Sequence, residues 1–322
     1  MVNPRSKLIL VKFPQLTDQV LDVPYRSTVH PVKLWVHSPA EPQTLRRPPL
    51  LLVHGFRGDH HGLEFLAAYC SNYPVVIPDL PGFGATAPLP DGLTLDGYKD
   101  ILMSLITHLT REHQAKPILI GHSFGSILAA HTAATFPNSI HRLGLLAPIT
   151  DLHDFPLTRI MTWLTRQYYR IGAALYMARK YCAGTRMASS MARSLLSSPV
   201  IVRAMSEAMA TTRDPGLRAC IHHQHAQFFS SFADPVSLNQ ACAIALDYTV
   251  NDVAERLPEA TIICAGDSDA IVPLPTVHTL IRRMHSPAVH IYPGVGHLLH
   301  YERPEAMAHD IIHDLAAFSG RQ

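Results

Sequence analysis

A chain of 322 residues, 47% hydrophobic and 16% charged with a formal net charge of +2, has room for one large α/β domain carrying an insertion, and its charge is too small for a polyanion-binding protein. Nucleic acid is therefore not an expected partner. Five cysteines, Cys70, Cys182, Cys220, Cys242 and Cys264, are odd in number and widely spaced without a CxxC pair, which argues against a disulfide framework or a zinc site.

In chain order, the N-terminal MVNPRSKLILVKFP holds only a short apolar run broken by Lys12 and Pro14, so it fits neither a signal peptide nor a membrane span. A soluble, cytoplasmic protein without stable membrane insertion is expected. Apolar runs rich in β-branched residues recur at 7–13, 32–37, 50–54, 75–78, 118–121, 143–147, 262–265 and 289–292. From residue 50 onward they are continuous rather than alternating, the pattern of strands covered on both faces, and they predict a mostly parallel, eight-stranded sheet. No helical pattern separates the first two runs, and Asp22 to Thr28 supplies turn residues, so an antiparallel hairpin is expected at the sheet edge. Helical spacing of three and four joins Leu95, Tyr98, Leu102, Leu105, Ile106 and Leu109, and again Met307, Ile311, Leu315 and Phe318, placing helices on both faces of a doubly wound α/β fold. The alternation stops after Ala147 and resumes near Thr261. Residues 152–246 are helical in pattern and broken at Gly184, Pro199, Pro215 and Pro235, which predicts a core of residues 1–150 and 247–322 with a helical cap, or lid, inserted at 151–246.

Within this frame, Gly121-His122-Ser123-Phe124-Gly125 stands between a strand pattern and a helix pattern. A GxSxG match alone is weak, but a strand, a sharp turn and a helix N-terminus are the setting that pushes a serine hydroxyl out of a sheet. A serine hydroxyl needs a base and a carboxylate to become a nucleophile. Asp267 and Asp269 follow the run at 262–265, and His297 follows the run at 289–292, so the order Ser, Asp, His falls at successive strand ends. Negative charge on the attacked carbonyl oxygen requires donors. The backbone amide of Phe124, directly after Ser123, is one, and the amide of Phe56 in His54-Gly55-Phe56 is the other.

These motifs, with Asp79-Leu80-Pro81-Gly82-Phe83-Gly84, Gly266-Asp267-Ser268-Asp269 before Pro273, and Gly296-His297, resemble the α/β-hydrolase superfamily over nearly the whole chain, in its cap-bearing, esterase- or lipase-like serine hydrolase branch. The resemblance implies that Ser123, Asp269 and His297 form a catalytic triad, with Asp151 and Asp267 as rival carboxylates. It implies oxyanion donors at Phe56 and Phe124, and supporting roles for His54 and Gly55 in the oxyanion loop, His122 in the serine elbow and Asp79 in the glycine-rich turn. Ser126 departs from a glycine common at that position, with an expected effect on packing. The function implied is hydrolysis of small, medium-chain or lipid-like carboxylic esters through an acyl-enzyme, needing no cofactor and no metal. Carbon–carbon bond hydrolysis, thioester hydrolysis and acyl transfer run on the same triad, and a non-catalytic ligand-binding protein would require a damaged one. A homo-oligomer is left open.

Other features read more plainly. Among 21 histidines, the cluster His222-His223-Gln224-His225 lacks a ligand partner at metal spacing and reads as a helix surface. Eight basic residues, Arg159, Arg166, Arg170, Arg179, Lys180, Arg186, Arg193 and Arg203, and six methionines, Met161, Met177, Met187, Met191, Met205 and Met209, fall in the cap. They read as a solvated face and an ordinary cap core rather than a lipid-binding surface and an acyl pocket. Arg57, beside the oxyanion loop, reads as a surface residue rather than an anion ligand.

Overall fold

The computed structural model describes residues 16–39, 47–151, 156–178 and 186–319, without the side chains of residues 156–161, 178, 186–189, 318 and 319. Its centre is one eight-stranded sheet in the order β1-β2-β4-β3-β5-β6-β7-β8, formed by β1 (Thr17–Tyr25), β2 (Thr28–His37), β3 (Leu50–Val53), β4 (Val75–Pro78), β5 (Ile118–His122), β6 (Arg142–Leu146), β7 (Ile262–Gly266) and β8 (Ala288–Tyr292). Pairs β1–β2 and β2–β4 are antiparallel, and all pairs from β4 to β8 are parallel.

The edge hairpin differs from the sequence expectation in its first strand. Residues 7–13 lie outside the described residues, and the partner of β2 is Thr17–Tyr25, paired from Thr17↔Val36 to Tyr25↔Thr28. Period two explains the choice: Val23 and Tyr25 turn inward and are buried, while Asp22 and Pro24, which alternate with them, face solvent. The turn is only Arg26-Ser27, with Arg26 at φ 51°.

Two cores flank the sheet. Along β3, Leu51 and Val53 join one core with Tyr98, Leu102, Leu105 and Ile127, whereas Leu50 and Leu52 join the other with Leu66, Met307, Ile311 and Leu315. Helices α2 (Leu95–His113) and α3 (Phe124–Thr135) cover the first face, and α1 (Glu64–Tyr69) and α11 (Pro304–Ser319) the second. The α2 start is set by the Thr94 hydroxyl accepting from the Gly97 amide at 3.0 Å, and its end by Gln114 in the left-handed region at φ 53°.

Five helices run between β6 and β7: α4 (Pro156–Ala178), α5 (Arg186–Leu196), α6 (Pro199–Met209), α7 (Pro215–Phe228) and α8 (Pro235–Asp247). Pro199, Pro215 and Pro235, which break the pattern in sequence, open the first turns of α6, α7 and α8, where a missing N–H costs nothing. The carboxylates of Asp214 and Asp234 accept from the first free amides of α7 and α8. Glu302, after β8, ties this helical segment to the C-terminal part of the chain by accepting from the Thr211 and Thr212 amides at 2.7 and 3.1 Å. The remaining helices, α9 (Leu274–Ile281) and α10 (Leu299–Glu302), follow β7 and β8. Among the described residues, no helix is long and apolar enough to cross a membrane. Cys182 lies outside the described residues; Cys70, Cys242 and Cys264 are buried thiols, each pushed up to about 12 by burial.

Candidate active site

Parallel strands deliver the site. Between β5 and α3 the chain reverses at Ser123, a non-glycine residue held at φ 53°, ψ −116°, a conformation that costs about 1–3 kcal/mol and is kept only by the packing around it. That packing demands glycine on both sides: a Cβ on Gly121 would strike the carbonyl of Gly125, and one on Gly125 the carbonyl of Val53. Ser126 is fully buried, donating to the Ser123 carbonyl and accepting from the Ile149 amide at 3.1 Å. Its departure from glycine thus adds a link from the elbow to the loop after β6.

Three side chains from three strand ends meet above this turn. His297 Nε2 lies 2.8 Å from Ser123 Oγ, and His297 Nδ1 lies 2.8 Å from Asp269 Oδ2. The other carboxylate oxygen of Asp269 accepts the amides of Ile271 and Val272 at 2.7 and 2.9 Å. Burial pushes the Asp269 carboxyl up, but the charge and hydrogen bond of His297 and the two amides outweigh it, and the net shift is downward. The rival carboxylates stand elsewhere. Asp267 accepts from the Gly294 amide at 2.7 Å and joins the loops after β7 and β8. Asp151 is exposed, with its amide on Asn251.

Most of the supporting residues hold loop backbone in place through their side chains. His54 Nε2 accepts from the Leu80 amide at 3.0 Å, so its Nδ1 carries the proton and donates to Gly55 O at 2.9 Å. This fixes the loop bearing Phe56, and burial keeps the His54 pKa below the ordinary histidine value. His122 Nε2 donates to the His297 carbonyl at 3.1 Å, and burial lowers its pKa to about 3. Asp79 is a buried hub: Oδ1 accepts from the amide and Nδ1 of His60 at 3.1 and 2.8 Å, and Oδ2 from the Ala85 amide at 2.9 Å. Phe56 packs edge-on against Phe83, Phe124 and Tyr169. Among the described residues, neither the Phe56 nor the Phe124 amide donates to a backbone carbonyl outside regular helices and strands.

A cavity of about 240 Å³ opens on Ser123 and His297. Much of its wall is apolar, with Ile149, Met205, Met209, Phe228, Leu246 and Ile271. Met205 and Met209, four apart on α6, therefore face the cavity rather than an isolated cap core. Met177 and Met191 are exposed, and the side chains of Met161 and Met187 lie outside the described residues. Of the cations on the helices between β6 and β7, Arg166 pairs with Asp247, Arg203 with Glu207, and Arg193 donates to the carbonyls of Phe232 and Ala233, while Arg170 is exposed. The side chains of Arg159, Arg179, Lys180 and Arg186 lie outside the described residues.

Two sequence readings are corrected. Arg57 is not on the surface: it is 1% exposed, with Nε 2.9 Å from Phe229 O, Nη1 3.2 Å from Tyr169 Oη and Nη2 2.7 Å from Leu196 O. The residue follows Phe56 with φ 64°, which turns its side chain away from the cavity and into the inserted helices. Nor is the 222–225 cluster a helix surface. His222 and His225, three apart, are buried together around the Ser206 hydroxyl at 2.7 and 2.8 Å, and only His223 is exposed. The sequence also gives no notice of His300, which lines the cavity; its position three residues after His297 is the signal that could have found it.

Among the described residues, one group has the composition of a metal site: Asp59, His60 and His61 bring ligand-type atoms within 4.8 Å of one another. Its Nδ1 atoms are already committed, His60 to Asp79 and His61 to Asp59 at 3.0 Å, and the rings stack in the series Trp35, His60, His61, Phe228.

Residues 50–310 match the sequence model of the alpha/beta hydrolase family. Among curated proteins, the chain is similar to a pyrrolizixenacetamide deacetylase of Xenorhabdus hominickii, 23% identical over 80% of this chain and 87% of that one. It is also similar to the acetyltransferase component of an acetoin cleaving system of Pseudomonas putida, 35% identical over 31% of this chain but only 26% of that protein. The solved structures it resembles include a thermophilic esterase from Thermogutta terrifontis, with TM-score 0.68, 20% identity and coverage of 93% and 98% of the two chains. A putative lipase from Acinetobacter baumannii follows at TM-score 0.67, 17% identity and coverage of 100% and 98%. With the family model spanning most of its length and the fold shared throughout, the chain belongs to the alpha/beta hydrolase family.

Proposed function

We propose that the protein is a serine hydrolase of neutral carboxylic esters. The observation that carries this reading is the continuous hydrogen-bond chain Ser123–His297–Asp269, at 2.8 Å per link, beneath a largely apolar cavity. His297 takes the Ser123 proton through Nε2 as Oγ attacks the ester carbonyl, and the amides of Phe56 and Phe124 receive the negative charge that develops. Asp269 holds Nδ1–H and stabilises the imidazolium. The leaving alkoxide takes the proton from His297; water then attacks the acyl-enzyme by the same sequence and frees Ser123. The five inserted helices act as a cap, supplying Met205, Met209 and Phe228 to the acyl-binding wall.

Among the described residues no arginine or lysine lines the cavity, which favours neutral esters over the carboxylate-bearing substrates that a carbon–carbon hydrolase of vinylogous diketones would take. Similarity to esterases and lipases points the same way. A fluorophosphonate probe tests the reading: it should label the protein and not Ser123→Ala, and p-nitrophenyl hexanoate should be hydrolysed only by the former. Labelling that survives in Ser123→Ala, or no labelling of either, overturns it.

A further inference from the structure

Beyond the Ser123–His297–Asp269 chain, four polar side chains gather in the cavity wall. His300 and Tyr301 follow His297 by three and four residues in α10, and Gln224 and His225 come from α7 of the insertion. They are close neighbours: the His300 and Tyr301 rings are 4.6 Å apart, and His225 stands edge-on to Tyr301 at 6.0 Å. His300 is only 3% exposed, yet its Nδ1 has no hydrogen-bond partner, and neither has the buried Oε1 of Gln224. Buried polar atoms without partners are rare in a folded protein, and two on one cavity wall call for a ligand that supplies the missing groups.

The tautomer of His225 can be worked out from its surroundings. Ser206 Oγ lies between His222 Nδ1 and His225 Nδ1, and one hydroxyl hydrogen can serve only one of the two rings. The Glu207 carboxylate, 3.1 Å from His222 Nε2, favours a proton there by its charge, although the two make no aligned hydrogen bond. His222 Nδ1 is then the acceptor from Ser206, His225 Nδ1 the donor to it, and His225 Nε2 a bare acceptor. Burial lowers the His225 pKa to about 3 and that of His300 well below the ordinary value, so both rings are neutral at physiological pH. Neutral imidazoles and a carboxamide offer donors and acceptors without charge. That suits a hydroxyl, which both donates and accepts, and does not suit a carboxylate or phosphate.

The side of the cavity is set by the chemistry. His297 Nε2 must return its proton to the leaving oxygen, so the alcohol portion of the ester lies on the His297 side of Ser123, where the chain continues into His300 and Tyr301. We propose that Gln224, His225, His300 and Tyr301 form a subsite for a free hydroxyl on the alcohol moiety, making the substrate class a partial ester of a polyol; this rests on the ester-hydrolase reading above. The acyl chain takes the apolar remainder of the wall.

Glyceryl 1-monohexanoate and propyl hexanoate share acyl group and alcohol skeleton and differ by two hydroxyls. The protein should cleave the glyceryl ester with kcat/KM about tenfold above the propyl ester, and Gln224→Leu and His300→Phe should each lower that ratio about threefold, close to one hydrogen bond apiece. Because the ratio is taken within each variant, a smaller folded fraction cancels. A ratio near one in the unaltered protein, or a ratio that neither variant moves, overturns the subsite. Hydrolysis of p-nitrophenyl hexanoate, which carries no hydroxyl, reports on the underlying reading separately. If that ester is cleaved and the ratio is flat, only the subsite fails; if it is not cleaved, both fail.

Discussion

Arg57 is the side chain through which the loop after β3 grips the inserted helices, so its replacement by methionine should loosen the insertion and disturb the site together. Its three acceptors come from separate parts of the insertion: Tyr169 in α4, Leu196 at the end of α5, and Phe229 just after α7. Hydrogen bonds from a charged donor contribute about 1.5–3 kcal/mol each, so three give about 4–9 kcal/mol gross. Burying the guanidinium costs several kcal/mol of that, offset slightly by its position over the Phe232 ring at 5.7 Å. A net loss of about 3 kcal/mol on Arg57→Met is expected, which for a chain of this size lowers the melting temperature by about 4 °C. Lysine should not rescue it, because a point ammonium cannot reach three acceptors arranged around a planar fork. Differential scanning calorimetry measures the first effect and kcat/KM for p-nitrophenyl hexanoate the second, since Phe56 is the adjacent residue. A melting temperature within about 1 °C of the unaltered protein, with unchanged kcat/KM, would show that the cost of burying the cation cancels its bonds, and the grip would not exist.

Other consequences are equally open to measurement. Asp269→Asn should lower kcat by about 10⁴-fold through loss of the tautomer and charge that orient His297, whereas Asp151→Asn should leave it within about twofold because Asp151 is exposed away from the site; the reverse pattern in steady-state kinetics refutes the assignment. Gly125→Ala should abolish turnover and destabilise the protein by about 1–3 kcal/mol or more, since the new Cβ meets the Val53 carbonyl; an active, equally stable variant in urea titrations refutes the packing account. Burial depresses the His122, His225 and His300 pKa values in the folded state. The unfolded chain therefore binds more protons below pH 6.5, and the stability these residues contribute is present above that pH and lost as pH falls toward their folded values. The loss is about 1 kcal/mol per residue between pH 6.5 and 5.5, about 3 kcal/mol for the three. His61 acts in the opposite sense: burial lowers its pKa, but the bond to Asp59 together with the charges of Asp59, Glu64 and Asp79 outweighs burial and raises it. Unfolding free energies that stay flat from pH 7 to 5.5 would contradict the neutral burial of the three rings.

Where one residue decides its own environment, the sequence is easily read. The strands β3 to β8 are short apolar runs between turn residues, and the observed bounds depart from the sequence reading by a residue or so, because a strand covered on both faces needs nothing but apolar side chains. The residues at Ser123, Asp269 and His297 are legible for a similar reason: each stands in the turn or loop that follows a strand, and the parallel sheet brings those loops to one edge. The strand Thr17–Tyr25 is harder to see in sequence, because it carries no continuous apolar run and only Leu21, Val23 and Tyr25 alternate toward the core; the run at 7–13 lies outside the described residues. Arg57 and the 222–225 histidines fail differently. Charged and polar side chains default to the surface, and only the arrival of helices α4 to α8 over the loop after β3 turns them inward. No local pattern encodes that docking.

Several histidines crowd the base of the cavity, and their differences decide how a proton moves there. His122 lies 5.4 Å from the His297 ring and 4.0 Å from the His300 ring. Were all three to carry protons, the repulsion would oppose the imidazolium that the proposed mechanism assigns to His297. Burial prevents this for His122 and His300, which have no carboxylate within hydrogen-bond distance among the described residues. His297 alone of the three has one, Asp269 Oδ2 at 2.8 Å. The neutral His122 does further work: its Nε2–H on the His297 carbonyl fixes the backbone from which the base projects. Substituting His122 by lysine would place a charge beside the base and break that bond, raising the barrier twice over. Replacement by glutamine, whose amide can still donate to the carbonyl, should retain more of kcat than replacement by leucine, and equal rates for the two would mean the His297 backbone needs no such anchor.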